Sequence, residues 1–212
     1  MRSHPFILTV LVILISGLTS GDSAQWPHQE ACRAFSMEEL CDGDLVFRRG
    51  RSPESHAVLI GSPGNAFSHV GMVVREQGQA WVIHAVPGEN GNGPDFIRRE
   101  SLAEFLAFKK ASRFAVYRAD FPDSIRTRAA DAALSFFREQ RLFDNRYDLE
   151  TDDRLYCTEL VLKAFGQANA ALTGLGMTEL DLVFGKISLL FPGNLIENPH
   201  FHLIALQLNS EP

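Results

Sequence analysis

The sequence predicts an α+β fold in which one antiparallel sheet packs against helices. Three observations lead there. Short apolar and β-branched runs bounded by turn residues recur in the first half, and two of them flank Glu76-Gln-Gly-Gln79 as a hairpin. Residues 123–142 carry Ala, Leu and Phe at helical spacing, the longest such pattern in the chain. The 212 residues, 45% hydrophobic and 22% charged, suit one globular domain and exclude a disordered or fibrous chain.

Before the domain stands a different kind of segment. Arg2 supplies a positive start, Phe6 to Ile15 are almost unbroken apolar residues, and Gly17, Ser20, Gly21, Ser23 and Ala24 follow. That layout is a secretory signal peptide, assigned to residues 1–24, with an apolar core too short for a comfortable membrane span. An uncleaved anchor helix is the alternative. No later segment is long and apolar enough to cross a bilayer, so the expected mature domain, 25–212, is exported to the periplasm or secreted. Removing the signal takes away Arg2 and Asp22 and leaves the net charge at −6. With that charge and no basic run, a nucleic-acid partner is excluded.

The elements follow in order. Ser36-Met-Glu-Glu39 has capping-box spacing and opens a short helix. Asp44 to Phe47 reads as a strand, with an arginine-rich turn at Arg48, Arg49 and Arg51. Ser52 caps a helix to Ile60. Phe67–Arg75 and Ala80–Val86 form the hairpin, a Gly/Asn/Pro loop leads to a strand near Phe96–Arg98, and Ser101 starts another helix. Arg113–Arg118 is a strand, Asp123–Leu142 the long helix, Cys157–Ala170 a second helix after the polar stretch 144–154, and His202–Leu208 a final strand.

Three cysteines make an odd count in an exported chain. Cys32 and Cys41 are close enough in sequence to close a small loop as a disulfide, or to stand as two buried thiols. Cys157 is left over, at the start of a helix, where exposed backbone N–H groups and the dipole favour an anion and lower a thiol pKa. The same N–H groups can hold an oxyanion. A buried structural cysteine is the alternative.

A nucleophilic thiol needs a base. His69 and His84 occupy opposite arms of the hairpin, whereas His28, His56, His200 and His202 lie in polar or terminal contexts. If the turn centres on Glu76–Gln77, positions 69 and 84 fall opposite one another, with Cβ atoms about 4.5–5.5 Å apart. One imidazole can then orient the other beside the cysteine. A metal held by both histidines and Cys157 would be the competing use, but the chain has no CxxC or HExxH spacing, so no metal or other cofactor is expected.

Phe67-Ser-His-Val-Gly-Met72, Trp81-Val-Ile-His84 and Tyr147-Asp148 followed by Asp152-Asp-Arg-Leu-Tyr-Cys-Thr-Glu-Leu-Val161 resemble the YiiX-type branch of the NlpC-like papain superfamily. Gly43-Asp-Leu-Val46 and Phe191-Pro-Gly-Asn-Leu195 are also similar to that branch, so the resemblance runs from about Gly43 to Leu208. It implies a circularly permuted papain-like fold, in which the histidine precedes the cysteine. It makes Cys157 the nucleophile, His69 the general base and His84 the third polar member. Close YiiX-type relatives often carry Glu at the third position, so Glu89 is an alternative orienter. Tyr147 sits like the tyrosine that aids the oxyanion hole in related enzymes; Asp148, Tyr156 and Thr158 flank the site, and Glu159 is a structural or dipole-favourable acid.

The function expected is hydrolysis of amide bonds by a cysteine peptidase or amidase, acting on a peptide or acyl-amide substrate of cell-wall origin; that substrate class comes from the resemblance. Two alternatives stand beside it. One is a lipid acyl hydrolase or acyltransferase, for which Leu182–Phe191 would supply an apolar platform. The other is a binding module that keeps the fold without catalysis. The arginines at 48, 49 and 51 could meet substrate carboxylates or form a solvated turn.

Overall fold

The computed structural model describes residues 36–62, 64–87, 94–182 and 185–208. The expected signal at 1–24, Cys32 and Glu89 lie outside the described residues. The mixed α+β architecture is as the sequence predicts. Its centre is a six-stranded sheet ordered β10-β5-β1-β2-β3-β4, in which every neighbouring pair is antiparallel. The strands are β1 (Leu45–Gly50), β2 (His69–Glu76), β3 (Gln79–His84), β4 (Arg98–Ser101), β5 (Ala111–Ala119) and β10 (Phe201–Leu208).

Alternation along these strands gives the sheet two different faces. Leu45, Phe47, Val70, Met72, Val74 and Ile83 point to one, where they join the main core with Ala133, Phe136, Leu160 and Phe165 of the helices α3 (Asp123–Arg138) and α4 (Cys157–Gln167). Val46, Val73 and Val82 point to the other and meet Leu102 and Phe105 of the short helix α2 (Leu102–Phe105). That helix begins where expected, with a complete capping box between Ser101 and Glu104. The helix α1 (Pro53–Gly61) is capped by Ser52, which accepts from Ser55 N–H. The helix expected after Ser36 is a single 3-10 turn, Met37–Glu39. The long helix stops at Arg138, short of Leu142, which enters the two-residue parallel ladder of β6 (Leu142–Phe143) with β7 (Arg154–Leu155).

Two expectations change. β1 does not turn after Phe47: it continues to Gly50, so Arg48 is a buried strand residue beside His69 rather than part of a solvated turn. The segment after α4, where an apolar platform at Leu182–Phe191 is expected, contains a hairpin of β8 (Thr178–Leu182) and β9 (Gly185–Leu189), followed by the helix α5 (Pro192–Ile196).

The N-terminal segment is fastened independently of any disulfide. The Asp44 carboxylate, fully enclosed, accepts from Cys41 N–H (2.8 Å) and is ion-paired with Arg118 of β5 at 2.7 and 2.8 Å. Among the described residues no helix is long and apolar enough to cross a membrane.

Candidate active site

The turn between β2 and β3 sets the site. Gln77 and Gly78 both have positive φ (52° and 80°), the type I′ geometry whose twist suits a two-residue hairpin. Glu76 therefore pairs with Gln79, and Met72 with Ile83. The turn falls one residue later than Glu76–Gln77, so His84 continues the register opposite Gly71, not His69. Because the shift moves each pairing by two positions, both histidines keep the same face. They meet diagonally: His69 Nε2 lies 3.0 Å from His84 Nδ1. Gly71 is what permits this. A Cβ there would overlap Val82 and press to 3.1 Å on the His84 Cβ.

The same face carries more than the pair. Arg48 is the direct cross-strand partner of His69, and Glu100 of β4 pairs with Val82, diagonal to His84. Glu100 Oε2 stands 3.6 Å from His84 Nε2, and Lys110 Nζ reaches both carboxylate oxygens at 2.8 and 2.9 Å. Phe105 lies against three of them: its ring centroid is 5.7 Å from that of His69 and 5.0 Å from that of His84, while the Arg48 guanidinium lies 4.4 Å over it and donates to its carbonyl at 2.9 Å.

Cys157 arrives from the opposite layer as the first residue of α4. The backbone N–H groups of Val70, Thr158 and Cys157 itself lie near its sulfur and favour the thiolate. Cys157 and His69 line one cavity of about 420 Å³ with Arg48, Tyr147, Tyr156, Lys110 and an apolar wall of Leu189 to Pro192. Here burial and the helix terminus compete, and burial prevails: the thiol is pushed up to about 11 despite the three N–H donors. His69 is held well below its ordinary value by burial and by Arg48, His84 and Lys110. Both shifts favour a protonated thiol and an unprotonated imidazole over the pre-formed thiolate that a helix start alone suggests.

The flanking residues divide. Tyr147 lines the cavity from a loop where it takes φ of +56°, its ring edge-on to Phe143 and Tyr156. Burial, Cys157 and Asp144 push its hydroxyl up to about 12, so it stays a donor. Tyr156 is the N-cap of α4 and its ring also lines the cavity. Thr158 is wholly buried and donates to Leu190 C=O at 2.6 Å, tying the cavity wall to the cysteine helix rather than facing substrate. Asp148 does not line the cavity; it is exposed and accepts from Glu150 N–H. The acid that shapes this loop is the enclosed Asp144, which accepts from the N–H groups of Arg146 and Asp148. Glu159 is structural, as read from its position: it accepts from Tyr156 N–H at 3.1 Å and pairs with Lys163.

Sequence reasoning missed Glu100 and the burial of Arg48. Face parity is the signal for both, once β1 to β4 are known to be neighbours: positions 48, 69, 84 and 100 all point the same way.

The chain is similar to known proteins. A curated relative, the uncharacterized protein YiiX of Escherichia coli (strain K12), is 27% identical over 129 residues, which is 59% of this chain. The matched stretch spans only 57% of that relative's length. A crystal structure described as metalloprotein yiiX from Escherichia coli O157:H7 superposes with a TM-score of 0.64 at 19% identity, covering 80% of this chain and 98% of the other, a likeness of fold. The model of the family described as permuted papain-like amidase enzyme, YaeF/YiiX, C92 family, matches residues 39–199. With its histidine strand ahead of its cysteine helix, the chain belongs to that family of permuted papain-like amidases.

Proposed function

We propose that the protein is an exported cysteine amidase that cleaves peptide or acyl-amide bonds through a Cys157 thioester, with cell-wall peptides or their fragments as substrate. The observation that carries the reading is that His69, bonded to the enclosed His84, lines the same cavity as Cys157. Since His69 meets His84 through Nε2, its Nδ1 is left for the thiol. Nδ1 takes the Cys157 proton as sulfur attacks the carbonyl carbon. The tetrahedral oxyanion is held by Cys157 N–H and the Tyr147 hydroxyl. His69 returns the proton to the amine as the C–N bond breaks, leaving the acyl thioester. Water, deprotonated by His69, then displaces the sulfur and releases the acid.

A second reading has one observation in its favour. Val58 and Leu189 to Pro192 give the cavity an apolar wall that could hold an acyl chain, as a lipid acyl hydrolase or transferase would need. No step is routed through a metal. Among the described residues no group of three His, Cys, Asp or Glu is placed to hold one, and the two imidazoles point ring nitrogens at each other rather than at a common ion.

The test is site-mapped alkylation of the purified chain by iodoacetamide, compared with Cys157→Ala and His69→Ala. Labelling at Cys157 that slows by about a hundredfold or more without His69 supports the pair; equal labelling in both backgrounds overturns it. Murein peptides screened against acyl lipids then separate the two substrates, and cell fractionation tests export.

A further inference from the structure

Behind the histidine pair stands an ion pair that the family reading does not use. The chain of contacts runs from His69 to His84 (3.0 Å), to Glu100 (3.6 Å) and to Lys110 (2.8 and 2.9 Å), on adjacent strands and the turn after α2. We propose that Glu100, held by Lys110, is a positioning residue that sets the tautomer of His84 and, through it, keeps the cysteine-facing nitrogen of His69 free to accept a proton. The inference rests on the Cys157–His69 assignment made above.

A neutral imidazole has one N–H and one lone pair, and which nitrogen carries the proton is decided by its neighbours. His84 is fully enclosed, so bulk water does not decide it. Burial alone would raise the Glu100 carboxyl, yet His84 and Lys110 bring it down to about 2, and it is an anion at any working pH. Arg98 adds a further cation at 3.6 Å. A carboxylate repels a lone pair and attracts an N–H even where the separation is longer than a hydrogen bond. The His84 proton therefore sits on Nε2, facing Glu100, and its Nδ1 becomes an acceptor. His69 must supply the hydrogen for the 3.0 Å contact from Nε2, which leaves its Nδ1 with the lone pair. The reversed tautomers would present an N–H to the thiol and could not take its proton.

Charge points the same way. Arg48 and Lys110 both make His69 harder to protonate. Glu100 is the anion on the same face that offsets them when the imidazolium forms.

The experiment begins with the unmutated protein, needing no variant to fold. Nitrogen-15 spectra of its histidine rings should show His84 protonated at Nε2 and His69 also at Nε2; protonation of His84 at Nδ1 would overturn the inference. In Glu100→Gln the neutral carboxamide offers either an oxygen or an NH₂, so His84 should populate both tautomers, and iodoacetamide labelling of Cys157 should slow at least about tenfold. Glu100→Asp should restore the single tautomer and most of the rate. A folded Glu100→Gln protein with wild-type tautomers and labelling defeats this inference while leaving the amidase reading intact. Labelling of Cys157 indifferent to His69 defeats the amidase reading itself.

Discussion

On one face of the sheet Leu45, Phe47, Val70, Met72 and Ile83 meet two long helices in a continuous apolar layer. On the other, Arg48, His69, His84 and Glu100 stand on four neighbouring strands, the first three against Phe105. Period-two alternation lets one set of strands do both, so each strand contributes to the core with one parity and to the proposed site with the other. Cys157 belongs to the first layer by its helix and reaches the second where β2 begins. Damage to the apolar face should therefore cost folding, whereas damage to the polar face should cost reactivity.

Phe47→Ala should give the largest loss of stability, about 3–5 kcal/mol, because a fully buried ring leaves a cavity against Phe67 and Tyr117. Denaturant unfolding measures it, and a loss below 1 kcal/mol would break the division of faces. Gly71→Ala probes the other side. The new methyl overlaps Val82 and pushes on His84, so we expect about 1–3 kcal/mol of strain together with at least a tenfold slower Cys157 alkylation, read by mass spectrometry on the folded protein.

Much of this arrangement is written in the local pattern, and what is not has a physical cause. The hairpin, the capping box at Ser101 and the helix beginning at Cys157 depend on nearby residues and emerge at their expected places. The facing of His69 and His84 is right in parity but wrong in register, because Gln77–Gly78 forms the I′ turn without the Asn-Gly or Asp-Gly that announces one. Arg48 looks like part of a solvated turn because three arginines crowd four positions; only the pairing of β1 between β2 and β5 buries it. Glu100 sits in Arg-Arg-Glu-Ser, a polar run with no strand signature, and its role depends on β4 docking beside β3. The β8–β9 hairpin is similarly opaque, since Thr-Glu-Leu-Asp-Leu is too polar to read as a strand. Helix start and burial also pull the thiol in opposite directions, and no sequence reading weighs one against the other.

Two smaller effects are expected. Thr158→Val keeps the shape of a buried side chain and removes its bond to Leu190 C=O; about 1 kcal/mol should be lost, with alkylation slowed through the displaced wall if that bond positions it. The smallest change is expected between pH 7 and 6. An ordinary histidine would lose about three quarters of its base form by pH 6, but His69 is held well below its usual value, so the reactivity it confers on Cys157 should stay nearly flat there. Stability has its own sign. Below about pH 6.5 the unfolded chain takes up a proton that folded His69 refuses, so this group makes the fold lose stability as pH falls through that value. A steep drop in alkylation between pH 7 and 6, after correction for the reagent, would place His69 in a wetter setting than the one described.

The order of the elements along the chain also has a consequence for assembly. His69 and His84 are joined by a two-residue turn and lie 15 positions apart, and β1 to β4 follow one another with local pairings, the kind of contact that forms early in folding. The proposed nucleophile lies far downstream, beyond β5 and the long helix. On that assignment a chain emerging from the ribosome would hold its histidine pair before Cys157 is made, and the two would meet only once the helix beginning at Cys157 docks.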